Sequence, residues 1–118
     1  MDILIVDDSK LIVSKITELL DDLEMATSLK SCGTYAHAVC LIDSSRPFVA
    51  LLDINLPDKS GIELLQHVKM YSPETTVIMF TNQSSDYYKK LCFKMGADHF
   101  LDKSKDFDNI RHILASLS

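Results

Sequence analysis

An α/β sandwich of the doubly wound kind, five parallel strands alternating with five helices, is what this chain's residue pattern predicts. Three observations lead there. Short, continuously apolar runs recur along the chain, as strands buried on both faces of a parallel sheet do. Between them lie segments whose apolar residues repeat at helical spacing. The loops are short, without repeat, linker or low-complexity stretch, so right-handed crossovers onto one sheet are the expected topology. At 118 residues the chain has the size of one domain, and 1–118 is read as a single one.

The elements follow in order. Ile3–Val6 is the first strand. Lys10–Leu23 is a helix, with Ile12, Ile16, Leu19, Leu20 and Leu23 on one stripe and Ser9 placed to cap it. The run around Ala26–Cys32 is more polar, as an edge strand would be. A helix over Tyr35–Ser44 leads to the third strand, Phe48–Leu52, and the helix Gly61–Tyr71, where Gly61 suits a turn or helix start. Val77–Phe80 is the fourth strand. The helix Ser85–Met95 follows, capped by Ser84 or Ser85 and ended by Gly96. In it Tyr88, Leu91, Cys92 and Met95 share the sheet-facing stripe, which turns Phe93 outward. His99–Leu101 is a short fifth strand, and Phe107–Leu117 closes the series with Ile110, Ile113, Leu114 and Leu117.

Composition removes several function classes. The net charge is -5 and the pI near 5.2, which opposes direct contact with a nucleic-acid backbone. No apolar run approaches the roughly 20 residues of a membrane span, and none has the flanks of a secretory signal. Three cysteines, an odd number with no CxxC, read as reduced thiols in a cytoplasmic protein. Cys40 and Cys92, at helical spacing among apolar residues, are expected in the core. His37, His67, His99 and His112 match no metal-ligand spacing. Lys89, Lys90 and Lys94 read as a solvated face.

Ligands of doubly wound sheets bind beyond the carboxyl ends of the strands, so the residues standing there carry the functional reading. Asp7 and Asp8 follow the first strand, Asp53 the third, Thr81 the fourth and Lys103 the fifth. Three carboxylates in one crevice repel unless a proton or a cation intervenes. Hard oxygen donors without His or Cys favour Mg²⁺, which commonly shares a phosphate. An aspartate can attack phosphorus and form an acyl phosphate. A lysine and a threonine hydroxyl can then stabilise the transferred oxygens.

The stretches "IVDDS", "LLDINLPDKSGIELL", "VIMFT" and "MGADHFLDKS", taken together and in this order, resemble the receiver domain of two-component response regulators, including its stand-alone chemotaxis type. The likeness spans essentially the whole chain. It implies a flavodoxin-like sheet of order 2-1-3-4-5, with Asp53 as the acceptor of a phosphoryl group from a histidine kinase or phosphotransfer protein. It further implies Mg²⁺ held by Asp7, Asp8, Asp53 and the backbone carbonyl of Asn55. Thr81 and Lys103 would contact the phosphoryl group, Phe100 would be an aromatic switch coupled to Thr81, and a protein partner would dock on the face of the fourth helix, fifth strand and fifth helix. A second copy of the chain is an admissible partner, and no membrane or nucleic-acid contact is implied. Two positions depart from the family pattern. Asn82 stands where a very small residue is usual, which narrows access to Asp53. Ser104 stands where proline is usual, which loosens the Lys103 loop.

Other readings compete. An aspartate-nucleophile phosphatase of the haloacid dehalogenase type needs an acid two residues after the nucleophile, and Asn55 is there instead. A flavodoxin-like electron carrier wants a Ser/Thr/Gly-rich phosphate loop where this chain has "DDSK". An adaptor of receiver type that takes no phosphate, and a receiver piece of a longer regulator, both fit the pattern. An enzyme acting on external substrates is not expected.

Overall fold

The structure is a computed structural model that describes residues 1–23 and 28–117. Ten elements alternate: β1 (Asp2–Val6), α1 (Lys10–Leu23), β2 (Ser28–Cys32), α2 (Tyr35–Ser45), β3 (Val49–Leu52), α3 (Gly61–Tyr71), β4 (Thr76–Thr81), α4 (Asp86–Lys94), β5 (His99–Asp102) and α5 (Asn109–Leu117). All strand pairs are parallel and the sheet order is β2-β1-β3-β4-β5. The doubly wound class and the strand order are as expected.

The differences lie at element ends. Phe48 is exposed and precedes β3, although its N–H donates to the Asp2 carbonyl and its carbonyl accepts from Thr76. β4 starts at Thr76 and runs through Thr81, and β5 includes Asp102. α5 begins at Asn109 because Asp106 and Phe107 close turns ahead of it. Ala26 and Thr27, expected in the second strand, lie outside the described residues. Cys40 is exposed, not in the core: it falls on the outer side of α2, whose buried residues are Ala38 and Ile42.

Alternation along the strands divides the core into two layers. Leu4, Val6, Ala50, Leu52, Val77 and Met79 point to one face, where they pack with Ala38 and Ile42 of α2, Leu64, Leu65 and Val68 of α3, and Cys92 of α4. Ile3, Ile5, Val49, Leu51, Ile78, Phe80 and Leu101 point to the other, against Ile16, Leu19 and Leu20 of α1 and Ile110 and Leu114 of α5. With helices on both faces, the strand ends are the natural opening.

Local chemistry fixes the helix ends. The Ser9 hydroxyl accepts from the Ile12 N–H at 3.4 Å, as expected of a cap. Ser60 and Ser85 cap α3 and α4 through Ile62 and Tyr88. Gly96 follows α4 at φ +105°, a left-handed conformation that side chains resist. Cys92 is buried, Tyr88, Leu91 and Met95 are half-buried, and Phe93 is exposed, as the stripe on α4 required.

Candidate functional site

The register brings the acidic strand ends together. Val6 of β1 pairs with Leu52 of β3, so Asp7 and Asp53 leave neighbouring strands at the same level, and the Asp53 N–H donates to the Val6 carbonyl at 3.0 Å. β2 and β3 lie on opposite sides of β1, so this is where the chain's winding reverses and where such sheets bind ligands. Carboxylate oxygens of Asp7, Asp8 and Asp53 lie within 4.8 Å of one another. Asp7 and Asp53 are buried, while Asp8 is exposed at the rim.

Lys103 ties the cluster together. Its Nζ is 2.6 Å from Asp7 Oδ2 and 2.9 Å from Asp53 Oδ2. Its side chain is nearly as buried as theirs. Burial pulls the ammonium's pKa down, but the Asp7 and Asp53 carboxylates outweigh that and hold it above its ordinary value. Burial also pushes the Asp7 carboxyl up, against the pull of Lys103 and the Ser9 N–H, with the charge of Asp53 adding to the rise. Three carboxylates against one ammonium leave the site with an excess of negative charge. A hard cation suits that excess, and the donor set is oxygen throughout. The residues present therefore fit Mg²⁺.

Backbone contacts hold the acids in place. Asp7 Oδ1 accepts from the Ser9 N–H at 2.9 Å, and Asp53 Oδ1 from the Asn55 N–H at 3.3 Å. Asn55 is exposed beside the cluster. Thr81 is fully buried at the end of β4 and its hydroxyl accepts from the Gln83 N–H at 3.1 Å. The Thr81 carbonyl accepts from the Lys103 N–H at 3.1 Å, which joins the β4 and β5 ends. Asn82 is exposed and lines a depression of about 370 Å³ with Ser9, Leu11, Ile12, Lys103 and Ser104. Phe100 is half-buried on β5, opposite Met79, and packs on the layer beneath α4.

Three contributors escaped the sequence reading. Gly61, read as a turn residue, is needed for close approach to the Asp53 backbone: a Cβ there would fall 1.8 Å from the Asp53 carbonyl oxygen. Asp58 reaches from the loop after Asp53 to the start of α2, where its two carboxylate oxygens accept from Tyr35 at 2.8 Å and Ala36 at 3.0 Å. Those two amides pull its carboxyl below the ordinary range. The acid at the third position after the strand-end pattern "LLDIN" gave only a weak capping signal, because the helix it caps precedes it in sequence. Asp102, beside Lys103, is the third, and its contacts were invisible without the loop's conformation.

Comparison with known proteins points one way. The model of the response regulator receiver domain matches residues 3–115. The chain is 35% identical over 101 residues to the transcriptional regulatory protein CpxR of Klebsiella pneumoniae, covering 86% of this chain and 42% of that regulator. It is 27% identical over 112 residues to the DNA-binding transcriptional activator EvgA of Escherichia coli, covering 93% of this chain and 53% of the activator. The chain thus spans about half the length of these curated relatives. Among solved structures, the signal receiver domain of a Luxo repressor protein from Vibrio parahaemolyticus superposes with a TM-score of 0.88 at 26% identity, covering 97% of this chain and 86% of that one.

Proposed function

The chain belongs to the response regulator receiver domain family, and from that premise we propose that it is a phosphorylation-switched binding module whose acceptor is Asp53. The observation that carries this reading is the position of Asp53: buried, within 4.8 Å of two further carboxylates, and 2.9 Å from the Lys103 ammonium. A solvated loop acid needs none of this.

In the proposed reaction an Asp53 carboxylate oxygen attacks the phosphorus of a phosphohistidine on a histidine kinase or phosphotransfer protein. The phosphorus–nitrogen bond breaks, the imidazole leaves with the electron pair, and an acyl phosphate forms on Asp53. Lys103, already bonded to Asp53, exchanges that contact for one to a phosphoryl oxygen. Thr81 donates its hydroxyl to another. Asp7, Asp8, Asp53 and the Asn55 backbone carbonyl hold Mg²⁺ in this reading. When bound, the ion supplies charge compensation for the incoming phosphoryl group. Asn55, being neutral, offers no general acid for turnover of external esters, so the chain catalyses at most its own phosphorylation and dephosphorylation.

The output is a change in affinity for a protein partner at the face of α4, β5 and α5. On α4, Tyr87 and Phe93 are exposed beside Lys89, Lys90 and Lys94, a mixed apolar and basic surface suited to a protein. Residues 1–118 act as one receiver domain in this reading. Their charge of -5 disfavours direct DNA contact by the domain itself, and no helix of the described residues is long and apolar enough to cross a membrane. A cytoplasmic setting follows from that reading.

Intact mass after incubation with acetyl phosphate and Mg²⁺ tests it. One phosphate-sized gain is expected, absent in Asp53→Asn and abolished by chelation of the metal. A gain that survives either change overturns the assignment, and no gain in the parent favours an adaptor that takes no phosphate.

A further inference from the structure

We infer that Asp102 is a positioning residue, a clamp that sets the backbone of Lys103 so that its ammonium reaches both Asp7 and Asp53. The inference rests on the proposed phosphoacceptor role of Asp53 for its kinetic consequence, but not for its geometry.

Lys103 is a long side chain, and ordering one costs rotamer entropy. Two bonds at 2.6 and 2.9 Å from one Nζ demand an accurately placed Cα. Nothing in the residue types of the loop after β5 makes it stiff, since "DKSKDFD" contains no proline. The stiffness comes from hydrogen bonds that converge on Asp102. Its Oδ1 accepts from the Ser104 N–H at 2.8 Å and from the Ser104 hydroxyl at 2.6 Å. Its N–H donates to Asp106 Oδ2 at 2.9 Å, and its carbonyl accepts from Asp106 at 2.9 Å and Lys105 at 3.3 Å. Lys103 is thus spanned by a closed ring of contacts between its two neighbours, and its own N–H is held by Thr81.

The charge of Asp102 is favoured from two sides. The hydroxyls of Ser104 and Ser84, with the Ser104 N–H, favour the ionised Asp102 carboxylate. Ser84 belongs to the segment between β4 and α4 that follows Thr81. The bonds of Asp102 to Ser104 and Asp106 thus lie within the loop that carries Lys103, and its charge is favoured from the segment that follows Thr81. Ser104, which by residue type alone would loosen the loop, supplies two of the donors that fix it.

The clamp works by accepting hydrogen bonds, so the amide of Asn, whose Oδ1 can accept the same two, should replace the carboxylate. The test uses Asp102→Ala, Asp102→Asn and Ser104→Ala in the full chain. Two readouts are taken: the NMR signals of the Lys103 side chain at Cε and Nζ, and the rate of acyl phosphate formation from acetyl phosphate at saturating Mg²⁺. Asp102→Ala should collapse the inequivalence of the two Lys103 ε protons and slow the reaction by up to about a hundredfold, the scale expected for a misplaced group. Asp102→Asn should resemble the parent on both readouts. Should Asp102→Ala fail to fold, Ser104→Ala, an exposed change, is expected to move the Lys103 signals in the same direction by a smaller amount. Parent-like Lys103 signals in whichever of Asp102→Ala and Ser104→Ala is folded overturn the clamp, as does an Asp102→Asn protein as impaired as Asp102→Ala. If the parent takes no phosphate while the Lys103 signals respond as described, the clamp stands and the phosphoacceptor reading falls.

Discussion

Gly61 stands so close to Asp53 that a Cβ at position 61 would lie 1.8 Å from the Asp53 carbonyl oxygen and 2.9 Å from the Ile54 Cα. The Gly61 N–H meanwhile donates to the Ile54 carbonyl at 2.8 Å. The start of α3 is therefore pressed onto the strand end that carries the proposed acceptor. The obstacle is backbone, which cannot swing aside. Gly61→Ala should lose about 3 kcal/mol of stability, at the upper end for overpacking, and shift the Asp53 amide resonance. Denaturant unfolding within 0.5 kcal/mol of the parent, on the scale of ordinary surface changes, would refute it.

Asp8 makes the opposite case. It is the exposed member of the acidic cluster, whereas Asp7 and Asp53 are buried against Lys103. Removing it takes away one like charge and almost no packing. Without metal, Asp8→Ala should be as stable as the parent or more so, while its Mg²⁺ affinity falls. Thermal melts in chelator and a calorimetric Mg²⁺ titration measure the two quantities. Clear destabilisation in chelator would contradict the reading of Asp8 as a metal ligand that the fold itself does not need.

Asn82 is exposed and lines the same depression as Lys103. On the proposed reading its amide would narrow the route by which a small donor reaches Asp53. Asn82→Ala should take phosphate from acetyl phosphate faster than the parent, with little change in stability. Equal rates would show that Asn82 gates nothing.

The thiols give a pH-dependent prediction. Burial raises Cys32 from 9.0 to about 11, against a weaker opposing contact with the Thr34 backbone. The folded state thus holds this proton more tightly than the unfolded one. Its contribution is fully present below pH 9 and is lost as pH rises from 9 towards 11. Cys32→Ala should remove that part of the alkaline decline, seen as a flatter stability profile across the same window. At neutral pH an alkylating reagent should label the exposed Cys40 and spare Cys32. Labelling of Cys32 at the rate of Cys40 would count against its burial.

The frame of this fold was legible because each strand-end residue was announced by an apolar run that stopped at it. Asp7, Asp53 and Thr81 needed only the period of the pattern and the rule for where such sheets bind. Lys103 came with the family likeness and with its place after β5. Illegible were contacts set by distance and not by spacing. The 1.8 Å approach of Gly61 to Asp53 has no composition signal. Asp58 caps a helix that comes 22 residues earlier in the chain. Asp102 looked like one more acid in a polar loop until its neighbours were placed. Cys40 was misjudged because its apolar residue type was weighed over its place on the side of α2 that also carries His37, Asp43 and Ser44.

Thr81 and Phe100 bear on how the site would reach the partner surface. Thr81 is fully buried, and its hydroxyl accepts from the Gln83 N–H at 3.1 Å. An acyl phosphate on Asp53 would compete for that hydroxyl as a donor and draw the side chain inward, which disturbs the segment leading into α4. Phe100 lies on the neighbouring strand, two residues before Asp102, the register partner of Thr81. It is half-buried beneath α4 and has no hydroxyl to satisfy, so inward and outward rotamers are both open to it. An inward turn would remove apolar area from the face of α4, β5 and α5. Phosphate can bias these two states only through a group that meets it differently in each, and in the proposed path Thr81 is that group. Thr81→Ala should therefore still accept phosphate yet leave Phe100 and α4 unmoved. NMR shifts of Phe100 and of α4 amides, recorded with and without beryllofluoride, check this: the parent should respond at both. If Thr81→Ala responds as the parent does, the path from Asp53 to α4 does not pass through Thr81.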